Sequence, residues 1–293
     1  MAEDLGRRPQ VGLSLALDDG FLRCALPLFT ASEVDVLEWS FDAAWNGDAL
    51  PRWASELLQH YADAGCLIGH GVAFSPLSGA WSQREEQWLG SLADELRQRR
   101  YRHITEHFGF ISAGDFHRSA PLPVPLNSDT LRLGRERMAR LAAAASCPIG
   151  LENLAFAFGH EDVLKQGEFL EALLAPIDGF LLLDLHNLYC QVCNFDVKAE
   201  QLMSSYPLER VRELHVSGGS WSQSENSGGL IRRDTHDDDV PPEVFEMLEM
   251  ALARCPHVEA VILERMPGSF HAQCEAQFQR DFARVWQIAR TAS

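Results

Sequence analysis

Basic residues are scarce in this chain of 293 residues, with 25 Lys and Arg against 42 Asp and Glu and a formal net charge of −17. A surface of that sign repels phosphate backbones, so nucleic acid is excluded as a partner by the lack of a basic footprint. Long apolar runs are missing too. None approaches the roughly 20 residues of a membrane span, and the opening Met-Ala-Glu-Asp-Leu-Gly-Arg-Arg leads into a strand rather than a signal-peptide core. No membrane contact and a cytoplasmic location are therefore expected. The cysteines are seven, an odd number scattered from Cys24 to Cys274, in a chain too large to need disulfide staples. Cys190 and Cys193 have the spacing of a redox pair or half a zinc site, but with no second pair and no thioredoxin-like context they read as buried free cysteines. No linker or shift of composition divides the chain, so one domain over residues 1–293 is expected. Its composition, 46% hydrophobic and 23% charged, is that of an ordinary enzyme with a large core.

What the chain does have is alternation. Apolar strand-like runs occur at about 11–17, 34–41, 66–74, 103–111, 147–156, 179–189, 210–218 and 258–266. Stretches of helical period lie between them at 51–64, 82–99, 129–145, 161–175, 197–205 and 241–254, with a last one at 271–290. Eight strands joined by helical crossovers close an α/β barrel, here spanning about 11–290. Two longer connections, 112–128 and 219–233, stand at the end where such barrels carry their active sites, as lids or as loops without a role.

Seven of these segments end in a side chain able to bind metal: His70, Glu106-His107, Glu152-Asn153, Asp184-Leu-His186-Asn187, His215, Asp234-Thr-His236 and Glu264. One buried imidazole or carboxylate is usually satisfied by a hydrogen bond or an ion pair. Seven at equivalent places indicate a multinuclear metal site, because a buried charge costs several kcal/mol unless paired or bound. Imidazole and carboxylate suit Zn, Fe and Mn. Asp234 and His236, two apart in an extended segment, would project to one side and share an ion. Glu152, near the middle of the set, is the candidate bridge, and Arg265 should point away from Glu264. His60, His103, His117, His160, His257 and His271 read as surface or helix-end residues.

The order His, His, Glu, Asp, His, Asp-x-His, Glu on such a barrel resembles the xylose-isomerase-like superfamily. The stretches His70-Gly-Val-Ala-Phe-Ser75, Glu106-His107-Phe, Leu151-Glu152-Asn153, Leu182-Leu-Asp184-Leu-His-Asn187-Leu-Tyr189, Glu213-Leu-His215-Val-Ser-Gly218, Asp234-Thr-His236 and Glu264 are similar to those of the multinuclear non-haem iron-dependent oxidases, the family that includes the methanobactin-biosynthesis oxidase. The likeness covers roughly residues 11–267. Three positions depart from the family pattern: His186 replaces the first Asn of an Asn pair, Gly219 stands where many members have a second His, and Asp237 where they have Gly.

The resemblance implies metal ligands at His70, His107, Glu152, Asp184, Asn187, His215, Asp234, His236 and Glu264, with His186 able to substitute for Asn187. Glu152, Asp184 and His215 would be catalytic. It implies two or three irons of mixed Fe(II)/Fe(III) valence, O₂ as co-substrate, a ribosomally made precursor peptide modified often at Cys and sometimes at Asp or Asn, and a separate leader-binding partner protein. Arg232 and Arg233 precede the Asp234 pair and either hold the peptide, as Asn153 would, or merely offset Asp237, Asp238 and Asp239. The alternatives are a trinuclear-zinc endonuclease or sugar isomerase on the same barrel, and a barrel that binds metal or peptide without turnover.

Overall fold

The computed structural model describes residues 8–291 apart from 46, 48, 114, 225–227 and 272. Residues 1–7 and 292–293, expected to belong to the same domain, lie outside the described residues. In chain order the strands are β1 (Gln10–Ser14), β2 (Val36–Trp39), β3 (Leu67–Gly71), β4 (Ile104–His107), β5 (Phe110–Ala113), β6 (Phe116–Leu122), β7 (Ile149–Glu152), β8 (Phe180–Asp184), β9 (Val211–Val216), β10 (Trp221–Gln223), β11 (Leu230–Arg232) and β12 (Ala260–Leu263). Eight of them form a closed barrel in the order β1-β12-β9-β8-β7-β4-β3-β2, and every barrel pair is parallel. Each apolar run read from the sequence coincides with one barrel strand, the first starting one residue late.

The helices are α1 (Asp19–Thr30), α2 (Arg52–Asp63), α3 (Gln83–Gln98), α4 (Ser128–Ala144), α5 (His160–Leu174), α6 (Leu185–Phe195), α7 (Ala199–Ser204), α8 (Pro242–Arg254) and α9 (Glu275–Thr291). Two of these were not foreseen. In α1, Asp18 caps the first turn by accepting from the Phe21 amide at 2.8 Å. In α6, the apolar run that reads as one strand over 179–189 changes conformation at Asp184, whose carboxylate accepts from the Asn187 amide at 2.5 Å and starts the helix. The two long connections are antiparallel hairpins, β5–β6 and β10–β11. Among the described residues no helix is long and apolar enough to cross a membrane, and all seven cysteines are free thiols.

Successive strand residues face opposite ways, which divides the apolar interior in two. Val36, Ile68, Ala260 and Ile262 cluster by themselves, apart from the larger core that holds Val11, Leu13, Leu37, Leu181 and Leu214 with the helices. The first set lines the lumen and the second the layer between strands and helices. Gly150 leaves room for Phe180 in the lumen, since a β-carbon there would come within 2.5 Å of its ring. Toward the carboxyl ends of the strands the lumen turns polar, and most of the side chains expected to bind metal meet there.

Candidate metal centre

Five overlapping groups of potential ligands meet here: two are Glu38, His215 and Glu264, and His186, Asp234 and His236, and the other three form a connected series. His70, His107 and Glu152 make the first, Glu152, Asp184 and His215 the second, and Asp184, His236 and Glu264 the third, with ligand atoms inside each group within 4.8 Å of one another. Glu152 and Asp184 each belong to two groups, which is the placement that bridging carboxylates need.

In the first group the strands fix both imidazole tautomers. Thr105 Oγ1 donates to the Gly69 carbonyl at 3.3 Å, so it accepts from His70 Nδ1 at 2.8 Å; His107 Nδ1 likewise donates to the Gly71 carbonyl at 3.1 Å. Each Nε2 is then bare. These two nitrogens face each other at 3.4 Å and lie 3.4 and 3.2 Å from Glu152 Oε2. Three lone pairs converging on one point are repulsive unless a cation or a proton sits among them. Glu152 Oε1 is held separately by the Asn187 side-chain amide at 3.0 Å.

The other groups show the same deficit. His215 Nδ1 lies 2.9 Å from Glu264 Oε2 without the alignment of a hydrogen bond. Glu152 Oε2, Asp184 Oδ2 and Asn187 Oδ1 are buried without a hydrogen-bond partner. Buried polar atoms are normally satisfied, so the donor set fits divalent ions. Asp234 Oδ1 and His236 Nε2 stand 2.6 Å apart, and His236 Nδ1 is 3.4 Å from Glu264 Oε2. The extended geometry expected for this pair is not observed. His236 has a left-handed backbone, φ +50°, and that turn, rather than strand alternation, brings it back beside Asp234.

Burial and mutual charge set the protonation of the metal-free cluster. Burial, reinforced by Asp234, pushes Asp184 up to about 7, and burial with Asp184 raises Glu152 well above the carboxylate range. Burial also lowers His70 and His107. Burial opposes charge on His215 and His236 too, but Glu264 and Glu38 around the first and Asp234 around the second outweigh it and raise both. The same pairing outweighs burial at Glu264 and Asp234, which are held low. A cation would displace the protons of the raised groups.

Beneath the cluster lies a network that the sequence did not disclose. His215 Nε2 donates to Glu38 Oε2 at 2.9 Å, and His103 Nε2 pairs with Glu213 Oε2 at 3.0 Å. His103, expected at the surface, is 2% exposed in the lumen. Glu213 was legible as a lumen residue, because it precedes His215 by two on β9 and shares its face. Glu106 faces outward beneath Gly71, buried, with its carboxyl raised by that burial and by Asp42. Only its neighbour His107 joins the cluster.

The remaining expected residues divide. Asn153 is buried and its amide bridges strand ends, accepting from the Asp184 amide at 2.7 Å and donating to the Asp184 carbonyl at 3.1 Å. It orients Asp184 and is spent on that contact. Arg265 points away from Glu264 to pair with Asp239 at 3.3 Å. Arg232 is buried, with Nε 3.2 Å from His186 Nε2, whereas Arg233 is exposed.

Comparison with known proteins bears out the resemblance read from the sequence. Residues 33–273 match the family model described as RiPP precursor modification enzyme MbnB/TglH/ChrH. A UPF0276 protein of Rhizorhabdus wittichii is 28% identical over 220 residues, 74% of this chain and 76% of that protein. Another, from Pseudomonas aeruginosa strain UCBPP-PA14, is 26% identical over 199 residues, 68% of this chain and 67% of its own. Among solved structures, a xylose isomerase domain containing protein from Salmonella typhimurium superposes with TM-score 0.62 at 11% identity, covering 98% of this chain and 99% of that one. A xylose isomerase-like TIM barrel protein from Mycobacterium smegmatis, in complex with magnesium, gives 0.55 at 13% identity and 97% of both chains. At such identities the structural likeness concerns the fold alone.

Proposed function

From the MbnB/TglH/ChrH family of RiPP precursor modification enzymes, to which this chain belongs, we propose a multinuclear non-haem iron-dependent oxidase that uses O₂ to modify one residue, often Cys, of a ribosomally made peptide. The observation that carries the reading is the set of three ligand groups joined through Glu152 and Asp184, with bare, buried donor atoms in each. His70, His107 and Glu152 would hold one iron, and Asp184, His215, Glu264, Asp234, His236 and Asn187 one or two more. Bound iron supplies Lewis acidity and electrons for O₂.

The chain's own residues do the rest. Thr105, the Gly71 carbonyl and Glu38 fix the tautomers of His70, His107 and His215, so that bare nitrogens face the ions. Exposed Trp221, Leu230 and Met266, on the connections after β9 and β12, offer apolar contact to a peptide at the mouth. Arg233 would hold a backbone or terminal carboxylate there. A separate leader-binding protein and a cytoplasmic setting belong to the same proposal.

Protein purified without oxygen should contain at least two irons per chain and consume O₂ when given its precursor peptide. A zinc-filled protein that turns over without O₂ would move the reading to a hydrolase or isomerase. Zinc found after aerobic purification decides nothing, because zinc outcompetes Fe(II) for such ligands.

A further inference from the structure

We infer that His186 is a positioning residue for Asp234, oriented by Arg232, and not a metal ligand. The inference rests on the metal-centre reading above and concerns how one of its carboxylates is held.

His186 is fully buried, and both of its ring nitrogens are engaged. Arg232 donates its Nε–H to His186 Nε2 at 3.2 Å. A guanidinium stays protonated and accepts nothing, so that contact consumes the Nε2 lone pair. The ring proton therefore sits on Nδ1, where it is donated to Asp234 Oδ1 at 3.3 Å. In this bonding no lone pair is left for an ion, although a ring nitrogen of His186 stands within 4.8 Å of ligand atoms of Asp234 and His236. At the next residue the situation is reversed: Asn187 Oδ1 is buried and without a partner.

Arg232 is itself fixed from three sides. Its backbone amide donates to Asn194 Oδ1 at 2.8 Å, and its carbonyl accepts from Asn194 Nδ2 at 2.9 Å. Its guanidinium stands over the Tyr189 ring at 5.3 Å and the Trp221 ring at 5.4 Å. The imidazole fits because residue 219 is glycine; a β-carbon there would lie 2.8 Å from His186 Cε1. Arg232, His186 and Asp234 thus form a guanidinium–imidazole–carboxylate series that selects one orientation of the Asp234 carboxylate, as second-sphere partners of metal ligands do.

The test is titration with Co²⁺, whose visible absorption reports the number and type of its ligands whether or not the enzyme is active. His186→Ala should bind as many Co²⁺ ions as the wild type, with one site weakened about 10–100-fold. His186→Gln, which keeps an acceptor for Arg232 and a donor for Asp234, should restore wild-type affinity. Arg232→Gln should reproduce the His186→Ala loss, and the double variant should be no weaker than either single one. Asp234→Ala should lose one ion outright. The inference is overturned if both His186 variants lose an ion as Asp234→Ala does, or if Arg232→Gln binds Co²⁺ like the wild type. Should His186→Ala fail to fold, His186→Gln and Arg232→Gln carry the same test. A wild-type protein that takes up no Co²⁺ sinks the metal-centre reading itself, a different result from either of these.

Discussion

His215 Nε2 lies 2.9 Å from Glu38 Oε2 across the barrel lumen, joining two strands that are not neighbours in the sheet. The bond keeps Nδ1 free on the side of Glu264, and it makes the imidazole a stronger donor toward a cation.

Replacing Glu38 by Gln keeps the shape and removes that charge. Metal affinity at the His215 site should fall about 10–100-fold while the first group is left unchanged. Equilibrium titration of both sites in one sample would show it, and a uniform loss at both sites would contradict it.

Glu152 belongs to two ligand groups and His107 to one. Glu152→Gln should therefore remove more metal than His107→Ala, and it should abolish turnover, as expected when a bridging ligand is lost. Elemental analysis of the two variants side by side decides the matter. Equal metal contents would mean that Glu152 does not bridge.

Stability of the metal-free protein should decline as pH rises from about 4 to about 7. Burial holds Asp184 up at about 7 from an ordinary 3.8, and Glu38 up at about 7 from 4.5. A raised carboxyl stabilises the fold below its unfolded value, and that contribution is lost as pH climbs through the folded one. Glu213 acts oppositely. Burial would raise it, but His103 and His215 outweigh that and hold it at about 2 from an ordinary 4.5, so its contribution is present above 4.5 and lost as pH falls. Thermal melts should show the gain in Tm on adding metal to be larger at a pH of about 8 than at about 5.5. A pH-independent gain would argue that the cluster carries no displaceable protons.

The pair His103–Glu213 is wholly enclosed. His103→Leu should lower folding stability by up to about 3–5 kcal/mol, because it leaves the buried Glu213 charge only His215 at 3.5 Å, whereas replacing both partners by apolar residues of similar volume should cost far less. Denaturant unfolding of the single and double variants measures the difference.

Arg233→Ala should leave metal content unchanged and raise KM for the peptide, whereas His236→Ala should lower metal content and activity together. Normal peptide affinity in Arg233→Ala would remove that residue from substrate binding.

The barrel was legible because its strands, buried on both faces, read as bounded apolar runs, and because their carboxyl ends repeat one chemistry. The limits of that reading are local. The run Phe-Leu-Leu-Leu-Asp-Leu-His-Asn-Leu is apolar through a strand and into a helix, and hydrophobicity has no period by which to place the change. His103 and Glu38 sit inside apolar runs where a polar residue looks like an exposed end; only the closed barrel sets them opposite Glu213 and His215. The union of Asp234 with His236 depends on a left-handed residue that no spacing discloses. The two hairpins were hidden in connections whose Pro, Ser and Gly read as loop.

The order of strands around the barrel also governs when the site can come into being. His70, His107 and Glu152 lie on β3, β4 and β7, which pair side by side, so this ligand group needs only a local piece of sheet. Glu264 follows β12 and the ring it faces, His215, lies on the neighbouring β9, both toward the far end of the chain, while Glu38 reaches His215 from the beginning. That meeting requires the last closure, β1 on β12, which joins Gln10 to Ala260 and is the slowest kind of contact for a chain to find. The three connected ligand groups themselves draw on β3-β4-β7, on β7-β8-β9, and on β8 with the end of β12, strands that pair without that closure, so the last contact supplies only the Glu38 bond that orients His215.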